Sequence, residues 1–225
     1  AFAEEAVRNP CDPNPLDELE KMNTNERFNY AAILQGDAEK CFDYRLLALT
    51  NAATELTAPG LVKALNHILH NETSMPRLQT VMFQLEKLGD QYEKIAPVVM
   101  EASIYMLHPA QVFEQKSASV LRYSALRNIG ELGLKYAALR DDSHAFMLRA
   151  AEQDEAPAVL WTAAKWLGVY HLETALNDHQ RRAGMTALEI LVFHESELVR
   201  IRAQEYLHKI RQAENQTSTL APQPQ

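Results

Sequence analysis

Two histidines and one glutamate form a local cluster of potential metal ligands. His67 and His70 stand three residues apart in a segment that is predicted to be helical, and Glu72 follows them. Side chains at this spacing lie on the same side of a helix, and imidazole and carboxylate groups are common zinc ligands. No third ligand is visible at a useful spacing, so we favour the interpretation that His67 and His70 are surface histidines that bind no metal. A metal-binding protein or enzyme with a site near His67 and His70 is the alternative.

Motifs for other catalytic chemistry are absent. The sequence contains no GxSxG, P-loop, GxGxxG, EF-hand or CxxC motif. The segment HESEL, residues 194–198, resembles a zinc-protease motif, but Leu198 replaces the second histidine. Acidic pairs at 141–142 and 154–155 precede predicted helices, where they stabilise the positive end of the helix dipole. We therefore predict a protein that is not an enzyme, with no catalytic residue, metal or cofactor.

Composition favours an all-α protein. Hydrophobic residues make up 47% of the 225 residues, which is enough for a substantial core. The chain has only seven glycines and no sustained alternation typical of strands. The net charge of −8 argues against nucleic-acid binding. The apolar segments are too short for a transmembrane helix.

Pro and Gly positions divide the chain into four regions. Three prolines between residues 10 and 15 predict an irregular N-terminal arm over 1–15. A helical region follows over 16–91, with helix starts at Pro59 and at Ser74–Pro76 and a helix end at Gly89. Residues 92–212 form a third region, and 213–225 are predicted to be a disordered tail.

The first residues and the cysteines indicate an exported protein. The chain begins AFAEEA, and Ala1-Phe2-Ala3 has the small-x-small pattern found at signal-peptidase sites. A disulfide between Cys11 and Cys41 would join the arm to the first helices and stabilise the fold by roughly 3 to 4 kcal/mol. Disulfides persist in oxidising compartments. We therefore expect a periplasmic or secreted protein whose signal peptide has been removed.

One apolar pattern occurs three times in the third region. Counted from Leu121, Val159 and Val199, core-type residues recur at offsets 0, 4, 7, 8 and 11, with Asn128 as the single exception. These offsets lie on one side of a helix, and the spacings of 38 and 40 residues are typical of two-helix repeats. A shorter apolar segment precedes each stripe, so the sequence predicts three helix pairs.

This pattern resembles the HEAT repeat family, in which an apolar residue, often followed by Arg, precedes Ala and Leu in the second helix of each pair. Leu121-Arg122 and Val199-Arg200 match it, and Ala125 and Ala203 follow. The middle unit departs from the pattern because Leu160 replaces the Arg. The resemblance covers about residues 92–211 and implies an α-solenoid of antiparallel helix pairs. The N-terminal helical region would then be a divergent cap or a set of more divergent repeats.

A further row of side chains stands at offset +2 of the three stripes. It consists of Tyr123, Trp161 and Ile201, with Arg122 and Arg200 beside two of them. Stacked repeats would align these residues, and aromatic groups with arginines are typical of protein-binding surfaces. The alternative is that the row packs against the neighbouring helices.

The predicted function is therefore a non-enzymatic protein–protein interaction or assembly module, such as a structural component of an envelope or secretion complex. Its partner is expected to be a protein. A chaperone-like or regulatory subunit is a further alternative. The sequence does not specify the oligomeric state.

Overall fold

A computed structural model describes residues 39–108 and 115–220, and these residues fall into two compact units divided between Ala102 and Ser103. Helices and turns account for the described residues without any β-strand, which confirms the all-α prediction. Each unit is described separately below. In the described ranges, every helix is too short or too polar to cross a membrane.

The first unit is built around helix α3. Helices α1 (Glu39–Ala52) and α2 (Ala58–Asn71) both pack on α3 (Met75–Gln91), and a 3-10 turn over Glu93–Ile95 leads into α4 (Ala96–Met106). Prolines in the first turns of α2 and α3 confirm the predicted helix starts, because proline lacks the amide hydrogen that goes unused there. The predicted end at Gly89 was wrong. Gly89 is a buried residue inside α3, which continues to Gln91.

The second unit begins at Ser103, within α4, and continues through five further helices. They are α5 (Gln115–Lys135), α6 (Arg140–Gln153), α7 (Pro157–Glu173), α8 (Asp178–Leu191) and α9 (Glu197–Leu220). A 3-10 turn over Ala137–Leu139 joins α5 to α6. Helix α8 begins with a capping box, in which Asn177 and Gln180 each accept a hydrogen bond from the backbone amide of the other.

Helix α7 is the centre of the second unit. It packs against α5, α6, α8 and α9, and α6 also packs against α5 and α8. All fifteen residues of the three predicted stripes are buried, which confirms the apolar faces of α5, α7 and α9. We refer to α5, α7 and α9 as the second helices. They correspond to the second helix of each predicted pair.

Helix α9 continues into the segment predicted as a disordered tail. It extends to Leu220 rather than ending near residue 212. The carboxylate of Glu214 lies 3.6 Å from Nε2 of His171 on α7, so the extension has a tertiary contact that sequence periodicity does not reveal.

Several predictions fall outside the described residues. They are the N-terminal arm over 1–15, the helical segment between 16 and 38, and the end of the tail after residue 220. Cys11 also lies outside, so its disulfide with Cys41 remains a prediction.

Candidate interaction surface on the second helices

The second helices contact one another through a glycine and an aromatic ring. Trp166 of α7 packs directly on Gly130 of α5, and a Cβ added to Gly130 would overlap the indole ring. Tyr206 of α9 packs in the same way on Gly168 of α7. In both contacts the backbone of one helix approaches the ring of the next, which only glycine allows.

These two contacts occupy equivalent positions in the sequence repeat. Gly130 and Gly168 both stand at offset +9 from the stripe starts, and Trp166 and Tyr206 both stand at offset +7 of the following stripe. The equivalent residue of α9 is His208, which is exposed. The contact between α5 and α7 is therefore repeated between α7 and α9.

A second set of contacts joins α5, α6 and α7. The hydroxyl group of Tyr170 donates a 2.9 Å hydrogen bond to the carbonyl oxygen of Gly130, and that of Ser143 donates a 2.8 Å bond to the carbonyl oxygen of Ile129. Burial raises the pKa of the Tyr170 phenol far above its usual value. The phenol stays neutral and acts as a structural hydrogen-bond donor.

His144 of α6 is a buried ionisable residue in the same core. Its side chain is 1% exposed, and its Nε2 atom has no hydrogen-bond partner. Burial lowers its pKa to about 4, with contributions from the nearby His171 and His179, while Asp141 acts in the opposite direction. The imidazole is therefore neutral at pH 7 and behaves as a core side chain.

The predicted row at offset +2 lies at the edge of this core. Tyr123 and Trp161 are partly buried and pack against core residues, whereas Ile201 is 53% exposed. Two residues of the row therefore pack on the core, and the third faces solvent.

Trp161 also carries a cation on its ring. The guanidinium carbon of Arg202 lies 4.2 Å from the centre of the Trp161 ring, a distance typical of a cation–π interaction. Glu205 accepts hydrogen bonds from Arg202 at 2.8 Å and from Lys209 at 2.6 Å. The bond from Lys209, together with Arg202, lowers the pKa of the Glu205 carboxyl group. This network fixes Arg202 over Trp161 on the surface of α7 and α9.

The two arginines of the predicted row have other roles. Arg122 makes a two-point ion pair with Asp154, at 2.7 and 3.0 Å, and both side chains are largely buried. Arg200 donates hydrogen bonds to the carbonyl oxygens of His194 and Glu195. Arg122 therefore links α5 to the loop between α6 and α7, and Arg200 holds the loop before α9.

Glu72 is engaged in contacts other than metal binding. Its carboxylate accepts hydrogen bonds from the backbone amides of Thr73 and Ser74 and pairs with Arg77 at 3.1 Å. Burial raises the pKa of Glu72, but these hydrogen bonds outweigh that effect and leave the pKa below its usual value. Over residues 39–108 and 115–220, no group of three or more His, Cys, Asp or Glu side chains has the geometry of a metal site.

Comparison with known proteins adds no family assignment. No protein-family model matches the sequence, and no curated protein shows significant similarity to it.

The residues that sequence reasoning missed are Gly130, Gly168 and Arg202. The recurrence of glycine at offset +9 was a usable signal, because it follows the same spacing as the apolar stripes. The contact of Arg202 with Trp161 had no such signal. It joins residues on different helices.

Proposed function

We propose that the second unit is an α-solenoid of HEAT-like helix pairs and that the protein is a non-enzymatic protein-binding module. The observation that carries the proposal is the repeated glycine–aromatic contact between successive second helices. Repeats that pack in the same register bring equivalent residues into one line, which creates an extended surface. The row of Tyr123, Trp161 and Ile201 is one such line.

The chemistry of the row supports protein binding. Trp161 presents part of a large apolar ring, and Arg202 already holds that ring in place. Ile201, which directly precedes Arg202 in the sequence, is an exposed apolar residue. Aromatic residues and arginine are enriched at the energetically important centres of interfaces. An ordered side chain also loses less conformational entropy when a partner binds. The proposed surface therefore comprises Tyr123, Trp161, Ile201 and Arg202.

Arg122 and Arg200 contribute to this surface indirectly. Both guanidinium groups hold loops at the ends of the helices that carry the row. We therefore assign the partner contacts to the row itself rather than to these two arginines.

The predicted setting for this module is an oxidising compartment, within an envelope or secretion complex. That part of the proposal rests on the predicted Cys11–Cys41 disulfide, because disulfides persist in oxidising compartments.

A matched pair of isoleucine variants tests the proposed surface. Ile201 lies on the second helix α9 and is 53% exposed, whereas Ile190 lies on α8, the first helix of the same predicted pair, and is 64% exposed. The tagged full chain carrying Ile201→Ala or Ile190→Ala is purified from its native host, and the co-purifying proteins are quantified by mass spectrometry. We expect a defined protein to be lost with Ile201→Ala and with Trp161→Ala but retained with Ile190→Ala.

Two further results complete that test. A thermal melt of each variant separates loss of binding from loss of folding, because Ile201 is exposed and its truncation leaves the core intact. Identical sets of co-purifying proteins for the wild type and the Ile201→Ala and Trp161→Ala variants would contradict the assignment of the row as the binding surface.

A further inference from the structure

A groove lies between the end of α8 and the middle of α9. It has a volume of about 440 Å³, and its apolar lining comes from Val192, Phe193 and Leu207. Glu189 of α8 and Arg211 of α9 stand at its edges. All of these residues belong to the second unit.

Phe193 projects from the edge of this groove into solvent. It is 87% exposed, which makes it the most exposed of the large apolar side chains that the structure describes. Exposing a phenyl group to water is unfavourable by roughly 2 kcal/mol relative to burying it. The same face of the protein therefore carries an apolar projection and an apolar groove.

The same face also carries one negative and one positive side chain. Glu189 and Arg211 approach to 3.6 Å across the groove, and both side chains remain more than half exposed. An exposed pair of this kind contributes little to the stability of the monomer. Both groups are therefore available to exchange partners with oppositely charged groups.

The outer face of α9 does not suit the addition of another helix pair. On the face of α7 that packs against α9, the residues Ala164, Gly168 and His171 are buried. Their equivalents in α9 are polar and exposed: Gln204, His208 and Arg211. Continued stacking would bury these polar groups between helices. All three also line the groove, so an occupant is expected to cover its apolar part and to leave Gln204 and His208 at the edge of the contact.

We propose that a second copy of this chain occupies the groove and forms a two-fold symmetric dimer. In such a dimer the same patch of each copy contacts the other, so the patch must be complementary to itself. Phe193 of each copy inserts into the groove beside Val192 and Leu207 of the other. Glu189 of each copy then faces Arg211 of the other. The projection, the groove and the opposite charges together meet the requirement of self-complementarity.

The dimer surface and the proposed partner-binding row use different residues. Failure of either proposal therefore leaves the other standing.

Sedimentation velocity of the full chain tests the apolar part of the dimer contact. One apolar insertion and two exposed ion pairs are expected to give weak association, so dimers are expected to appear over concentrations of about 5 to 500 µM. Phe193→Ser is expected to weaken self-association at least tenfold. Leu56→Ser, which removes a 78% exposed side chain from the first unit, is the matched control and is expected to leave it unchanged.

Charge reversal tests the pairing of Glu189 with Arg211. Glu189→Arg and Arg211→Glu each place like charges across the two-fold contact, so each variant alone is expected to dimerise at least tenfold more weakly. An equimolar mixture restores both pairs and is expected to form the heterodimer. A monomer at every concentration, a dimer that tolerates Phe193→Ser, or a mixture that associates no better than its components would each overturn the proposal.

Discussion

The ring of Tyr206 in α9 occupies the space where a side chain on Gly168 of α7 would begin. The ring of Trp166 stands in the same relation to Gly130 of α5. Protein interiors are close-packed and have little free volume to absorb additional atoms. The close approach of the second helices therefore depends on these two glycines.

Alanine at either glycine is expected to destabilise the protein. In an exposed helix, Gly→Ala raises the free energy of unfolding by up to about 1 kcal/mol. At Gly130 or Gly168 the added methyl group overlaps a packed ring, so we expect a net loss of roughly 1 to 3 kcal/mol instead. Urea unfolding of Gly130→Ala and Gly168→Ala measures this loss.

Gly184 of α8 provides the control for that experiment. A Cβ added there would lie 3.6 Å from Nε2 of His144 and 3.9 Å from a methyl carbon of Leu167, which are ordinary contact distances. Gly184→Ala is therefore expected to leave stability unchanged or to raise it. Equal losses at all three glycines would contradict the special role of Gly130 and Gly168.

The helical character of the second unit and the buried faces of its second helices were predictable from local pattern. The stripes starting at Leu121, Val159 and Val199 all proved to be buried because helical periodicity alone determines which residues share a face. The length of α9 was not predictable in this way. Its last turns contain few apolar residues, and the contact of Glu214 with His171 depends on the position of another helix.

Stability is expected to fall as the pH decreases toward 4. The pKa of His144 is lowered from 6.5 to about 4 in the folded protein, so the unfolded chain binds a proton that the folded protein does not accept. The stabilising effect is fully present above pH 6.5 and is lost as the pH falls toward the folded pKa. The difference between the two pKa values of His144 corresponds to about 3 kcal/mol of unfolding free energy. Urea midpoints measured between pH 7 and pH 4.5 report it.

His144→Leu separates this effect from other titrations. The variant is expected to show a weaker dependence of unfolding free energy on pH than the wild type, because no imidazole remains to be protonated at that position. His67→Gln changes an exposed histidine of the first unit, which takes no part in the shift at His144, and serves as the comparison. The explanation fails if His144→Leu and the wild type have the same pH dependence.

The ion pair between Arg122 and Asp154 is expected to contribute measurably to stability. Both side chains are about one-eighth exposed, and the pair has two hydrogen bonds. A double-mutant cycle with Arg122→Met and Asp154→Asn should give a coupling energy of about 2 kcal/mol. The same cycle with Arg202→Met and Glu205→Gln, a more exposed pair, should give less than about 1 kcal/mol. A weaker coupling at the first pair would contradict its assigned role.

The candidate surface was only partly predictable from the sequence. The offsets identified Tyr123, Trp161 and Ile201, because equivalent positions in a repeat can be read from spacing. The contacts of the arginines could not be identified in this way. Asp154 is 32 residues from Arg122, and Arg202 meets Trp161 across two helices, so both pairings follow from tertiary packing.

The central claim is that successive second helices pack in one register, and double-mutant cycles at the two equivalent contacts test it most directly. Gly168→Ala is combined with Tyr206→Ala, and Gly130→Ala with Trp166→Ala, and the free energy of unfolding is measured for each single and double variant. We predict that each glycine substitution destabilises the protein by at least about 1 kcal/mol when the ring is present and has little effect when the ring is truncated. Additive effects at either pair would show that the ring and the glycine do not meet, which would contradict the repeated packing.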